Sequence, residues 1–318
     1  MTKNFSLPEP ITITAGDGYR LGAQVWRHTP QDGVEGPVRA VVIINCATAV
    51  LCRYYQRFAK YLHEQGFQVV IYDYRGIGLS RPPSMARLKA GWLEWGELDF
   101  EAVLNHVIDS FDGSPIYVVG HSVGGLLLGM APSNHRIERV LTVGAQHAYW
   151  PDYLSGHRIK MLLQWHGLMP LVTRLMGYFP GKRLGWLEDV PAGVVRDWVA
   201  THDRFVDTYR HGKGSATLDE AALANLQSRY AALSCPMLAM SFTDDPYGTE
   251  PAIARLLSNY TGCDRTHLRL APEEIGVAHI GHFAYFHSQF RDTLWPLAVQ
   301  WFQGQFLQSF QAQRFVGS

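Results

Sequence analysis

Ser122 stands in Gly120-His121-Ser122-Val123-Gly124, between the apolar runs "IYVV" and "LLLGM". A serine hydroxyl is a poor nucleophile near neutral pH. It attacks a carbonyl only when a base takes its proton and an acid holds that base in one tautomer. Glycines two before and two after the serine suit a strand-to-helix turn too tight for side chains, a nucleophile elbow. The amide that follows the serine then heads a helix, where it can stabilise an oxyanion. The pattern also predicts a chain order of serine, acid, histidine. Downstream, "TDDPYG" supplies Asp244 and Asp245, and "GVAHIGHFAYF" supplies His279 and His282. Each partner therefore has two candidates.

On an open α/β sheet such groups sit on loops at the carboxyl ends of the strands. The periodicity supplies that framework. Two short strands, Ile11–Thr14 and Leu21–Trp26, flank a Gly-Asp-Gly turn. Continuous apolar runs over Val38–Cys46, Phe67–Gly76, Pro115–Gly120 and Arg139–Ala145 read as strands buried on both faces. Between them, Tyr54–Glu64 and Leu98–Ile108 read as amphipathic helices, and the elbow helix runs to about Met130. This alternation predicts an α/β fold with a mostly parallel central sheet and helices on both faces. Regularity stops near Ala148, and the text becomes helical and aromatic until about Leu233. We read residues 148–233 as a helical cap inserted into a core made of 1–147 and 234–318. Strand–helix alternation resumes with Cys235–Phe242, Pro251–Asn259 and Thr266–Leu270, and a last helix is expected over Phe283–Phe302.

Composition narrows the function classes. The chain of 318 residues has 28 basic and 28 acidic residues. It carries no basic stripe for nucleic acid and no polybasic segment for anionic lipid. No apolar run approaches the ~18 residues of a membrane span. The opening "MTKNFSLPEPITIT" lacks a signal peptide's apolar core. Cys46, Cys52, Cys235 and Cys263 have no CxxC spacing, which points away from zinc and toward free thiols in a reducing cytoplasm. Cys46 has no histidine pattern to make it a nucleophile and reads as a small buried thiol.

Taken together, "GHSVGG", "TDDP", "GHF" and the loop "YDYRGIGLS" (Tyr72–Ser80) resemble the α/β-hydrolase superfamily over nearly the whole chain outside the cap. More narrowly, "NCATAVLCRYYQRFAKYL", "SFTDDPYGT" and "HIGHFAYF" resemble an uncharacterised group of predicted bacterial serine α/β hydrolases. The resemblance implies Asp245 rather than Asp244 as the acid and His282 rather than His279 as the base. It implies an oxyanion hole made by the Val123 amide and a loop after the third strand. There "NCATAV" replaces the usual His-Gly, so the second amide aligns at Ala47, with Thr48 close behind. It assigns Asp73 and Arg75 to a structural loop. His121 is expected to point away from the site and to pack or bond locally.

The resulting expectation is a serine hydrolase of esterase, lipase or thioesterase type acting on a small, mainly apolar acyl compound, with no metal or organic cofactor. Serine at the elbow argues against dehalogenase and epoxide hydrolase chemistry, which use aspartate there. Acyl transfer, cofactor-free lyase chemistry and a non-catalytic binding role use the same fold and stay open. The cap residues Met161, Leu162, Leu163, Leu168, Met169, Leu171, Leu175 and Met176 are expected to contribute to an apolar pocket, whereas Trp150, Trp165, Trp186 and Trp198 read first as core.

Overall fold

The apolar runs do become strands, and their order sets up one side of the molecule for chemistry. A computed structural model describes residues 7–28, 40–305 and 313–314. The core opens with β1 (Glu9–Thr14), β2 (Arg20–Trp26), β3 (Val41–Asn45), α1 (Gln56–Glu64), β4 (Gln68–Tyr72), α2 (Glu101–Ser110), β5 (Ile116–His121), α3 (Val123–Leu126) and β6 (Ile137–Val143). Between β6 and the next core strand come α4 (Arg158–Met161), α5 (Met169–Met176), a two-strand hairpin of β7 (Tyr178–Phe179) and β8 (Val190–Pro191), α6 (Ala192–Val199) and α7 (Glu220–Ala232). The core closes with β9 (Pro236–Phe242), α8 (Glu250–Leu257), β10 (Asp264–Leu270), α9 (Trp295–Phe302) and β11 (Gln313–Arg314). Val38 and Arg39, expected to start the third strand, lie outside the described residues.

The central sheet runs β1-β2-β4-β3-β5-β6-β9-β10-β11. Pairings from β4 through β10 are parallel, and the antiparallel strands β1, β2 and β11 lie at its edges. All five residues of β3 are buried, as a strand covered by helices on both faces requires. Because β3, β5, β6, β9 and β10 are parallel neighbours, their carboxyl ends open on the same edge. The loops bearing Ala47, Ser122, Gly144, Asp245 and His282 follow those five ends. No helix among the described residues is long and apolar enough to cross a membrane.

Two helices differ from expectation. The stretch from Phe283 forms tight turns at Ala284–Phe286 and Ser288–Phe290, and α9 begins only at Trp295. Pro296 lacks an amide hydrogen and fits a helix's first turn, not its middle. The elbow helix reaches Met130 as predicted, but tightens to a 3₁₀ turn over Leu127–Met130. There the Tyr260 hydroxyl donates to the Gly125 carbonyl (2.6 Å) and the Tyr230 hydroxyl to that of Leu126 (2.9 Å). Those are carbonyls that an α-helix would reserve for its own amides.

The loop after β4 is structural. The Asp73 carboxylate accepts from the Cys52 and Leu79 amides at 2.6 and 2.8 Å. Arg75, with its side chain almost wholly buried, donates to Asp99 at 2.7 Å and to Asp17 at 2.6 Å. Asp99 has no solvent exposure. A buried charge stripped of its partner is strongly destabilising. Arg75→Ala should therefore cost about 3–5 kcal/mol, measured by urea unfolding; a loss well under that range would mean Asp99 is compensated elsewhere.

Candidate active site

The β5 strand delivers Ser122 into a turn that few residues adopt. Its backbone has φ 53° and ψ −122°, in a region disfavoured for any residue with a Cβ. The flanking glycines explain how the chain gets there. A Cβ on Gly120 would lie 2.6 Å from the Gly125 Cα, and one on Gly124 would collide with the Asn45 carbonyl. The turn is thus pressed against α3 on one side and the end of β3 on the other. The Ser122 amide donates to the Val143 carbonyl at 3.0 Å, tying the elbow to β6. Val123, first residue of α3, presents an amide with no intrahelical acceptor.

The structure brings the two acids and two histidines together as two distinct pairs. His282 Nδ1 lies 2.8 Å from Asp245 Oδ2; Asp245 is fully buried, and His282 is 8% exposed, as is Ser122. A carboxylate only accepts, so Nδ1 carries the proton and Nε2 is left with its lone pair. Burial by itself would raise the Asp245 carboxyl. The neighbouring His282 and the amides of Gly248 and Tyr247 outweigh it and hold the carboxyl below its usual range. The Asp245 side chain therefore stays ionised.

The second pair is Asp244 with His279, at 2.6 Å, and the His279 side chain is largely exposed. Asp244 also accepts from the backbone amides of Ile280 (2.8 Å) and Gly281 (3.0 Å). It therefore clamps the loop that carries His282, and it leaves the buried position to its neighbour.

His121 does not bond locally. It is fully buried, and its Nε2 lies 2.9 Å from the His282 carbonyl, across 161 residues of chain. Burial, reinforced by His282, pulls its imidazole down to about 3, so the ring is neutral. Nε2 must then donate to that carbonyl, and Nδ1 accepts from the Tyr55 hydroxyl at 2.7 Å. The Tyr55 oxygen in turn accepts the Ala47 amide at 2.9 Å. One chain of hydrogen bonds thus links the loop after β3 to the histidine loop. It also engages the Ala47 amide, the residue aligned with the second oxyanion donor. Thr48, next along, faces a small cavity.

That cavity of about 30 Å³ is lined by Thr48 and Ala49 and by Trp165, Met169, Phe179, Trp186 and Trp198 from the segment between β6 and β9. Of the eight aliphatic residues expected there, Met169 alone lines it. Leu163 and Leu168, ahead of α5, and Leu171, Leu175 and Met176 on it are exposed instead, and α5 turns Met169 toward the tryptophans. Trp150 is also exposed. Outside it, Ala49, Trp186, Leu187 and Glu188 are shared with an open groove of about 730 Å³ that runs past Tyr54 and Phe283.

Two contributors escaped the sequence reading. Tyr55 is one, hidden in an ordinary amphipathic helix approach. Gly144, after β6, is the other: φ is 54°, and a Cβ there would lie 2.9 Å from Asp245 Oδ2 and 3.1 Å from His282 Nδ1. Only its place directly after an apolar run could have flagged it. Gly144→Ala should lower hydrolytic turnover by about 10- to 100-fold by displacing the pair, with the circular dichroism spectrum retained. Unchanged turnover would mean the pair absorbs the added methyl.

Residues 36–273 match the sequence model of the family described as Serine aminopeptidase, S33. No curated protein matches the chain. A soluble variant of monoglyceride lipase from Saccharomyces cerevisiae superposes with a TM-score of 0.62 at 15% identity, covering 96% of this chain and 97% of that one. An esterase of Pyrococcus furiosus gives 0.55 at 12% identity over 94% and 91%, and a monoacylglycerol lipase of Paleococcus ferrophilus gives 0.53 at 14% over 94% and 100%. At such identities the likeness is one of fold. The family match spans well over half of the sequence, and the chain belongs to the serine aminopeptidase S33 family of α/β hydrolases.

Proposed function

We propose that this hydrolase cleaves carboxylic esters of small, mainly apolar acids through Ser122, His282 and Asp245. The observation that carries the reading is the left-handed Ser122 backbone beside a buried carboxylate–imidazole pair. His282 Nε2 takes the hydroxyl proton as Ser122 Oγ adds to the ester carbonyl. The tetrahedral oxyanion is held by the Val123 amide and by Thr48, since the Ala47 amide is already donated to Tyr55. Collapse expels the alcohol, which leaves with the proton from His282. Water, deprotonated by the same imidazole, then releases the acid and frees the serine.

The cap segment, 148–233, supplies the apolar lining over a core of 1–147 and 234–318. A cavity of about 30 Å³ holds little more than one water. An acyl chain therefore enters only when the tryptophan-lined wall parts, and the neighbouring groove is the approach. The four cysteines are free, buried thiols, in keeping with a cytoplasmic setting.

A second reading is favoured by one observation. Glu188 lies where the cavity meets the groove, its side chain 18% exposed and its carboxylate 4.0 Å from the exposed Lys182 ammonium, which a substrate ammonium would displace. A carboxylate there suits the ammonium of an aminoacyl substrate, the chemistry that the family's description names. A panel of p-nitrophenyl esters of graded length against aminoacyl p-nitroanilides separates the two, and we expect the esters to be preferred. Ser122→Ala should lower kcat at least about 10⁴-fold in a folded protein and abolish labelling by a fluorophosphonate. Asp245→Asn should cost about 10⁴-fold, and Asp244→Asn a small fraction of that. A dead Asp244→Asn with an active Asp245→Asn would move the acid by one residue.

A further inference from the structure

A second cavity lies away from the serine, against α5 and α6. Its volume is about 850 Å³, within the range of small-molecule sites. It is walled by α5, α6 and the turn at Met85–Arg87. Five cationic side chains surround it: Arg87, Lys89, Arg174, Arg196 and Lys213. No carboxylate lines it, and none of the five makes an ion pair among the described residues. In a chain with equal numbers of acids and bases, such a concentration of one sign repels itself and is relieved by an anion. The nearest acid in sequence, Asp197, points elsewhere and accepts from the Trp92 and Ser215 amides.

The floor is of a different character. Leu88, Pro170, Ala192, Val195 and Val199 line it. The one neutral polar side chain, Thr173, donates its hydroxyl to the Met169 carbonyl at 2.7 Å. A bare inorganic anion would use the rim and leave that floor empty. The α5 and α6 helices separate this cavity from the small one against Thr48: Met169 and Trp198 line the latter, while Thr173, Val195 and Val199 line the former.

We propose that this outer cavity is a second binding site, for an anionic amphiphile whose phosphate or carboxylate head meets the arginines and whose alkyl tail covers the floor. Guanidinium forks match either head in bidentate geometry. The proposal does not rest on the serine chemistry. It is tested by calorimetric titration of the full chain with dodecyl phosphate and dodecanoate, each below its micelle concentration. Dodecanol and inorganic phosphate are the one-featured controls. One equivalent of dodecyl phosphate or dodecanoate should bind at least tenfold more tightly than either control, and the tighter of the two names the head. Arg174→Gln with Arg196→Gln, both exposed positions, should weaken that binding at least tenfold while ester turnover without amphiphile stays unchanged. Three results would overturn the site: neither amphiphile binding, a control binding equally well, or affinity untouched in the double variant.

Discussion

The backbone of Ser122 is the constraint on which the arrangement depends. A residue held at φ 53° and ψ −122° costs on the order of 1–3 kcal/mol and persists only where its surroundings over-determine it. Here they do. Gly120 packs on Gly125, Gly124 sits under the end of β3, and the serine amide is bonded to β6. Three adjacent parallel strands therefore fix one turn. The same turn starts α3 at Val123, whose amide has no intrahelical acceptor.

Around the serine, two carboxylates adjacent in sequence do different work because their environments differ. Asp245 is buried and holds His282; its negative charge is sustained by the imidazole and two backbone amides. Asp244 is partly exposed and spends its oxygens on the amides of Ile280 and Gly281. The first sets the imidazole's tautomer, and the second sets the loop on which the imidazole rides. His121 secures the same loop from below, through the His282 carbonyl, and a neutral ring is what that bond needs. Histidine position is thus controlled from three directions.

The segment between β6 and β9 is organised by the packing of aromatic rings. Trp165 stacks on Trp198 at 5.4 Å and meets Trp186 edge-on at the same separation. Such rings fill the inner side of α5 and α6 so completely that little space remains beneath them. The aliphatic residues of α5 are displaced outward, and the opposite face of the helix pair opens into the cation-rimmed cavity.

The sequence alone determined the sheet, the glycine-flanked turn at Ser122 and the order of Ser122, Asp245 and His282 along the chain, because these are written in local spacing. Buried parallel strands are continuous apolar runs, and a turn without room for a Cβ demands glycine at fixed offsets. The turn at Gly120, Ser122 and Gly124 needed nothing more, and the pairing of Asp245 with His282 followed the family pattern. Tertiary structure alone decided what depends on contacts between distant segments. The bond of Ala47 to Tyr55, the reach of His121 to His282, the pressure of Gly144 on the Asp245–His282 pair and the inward face of α5 join residues far apart in the chain. Periodicity says that a helix has an apolar side; it does not say which of two available layers that side will meet. For α5, with leucines on one side and tryptophan partners on the other, only the packed rings settled it.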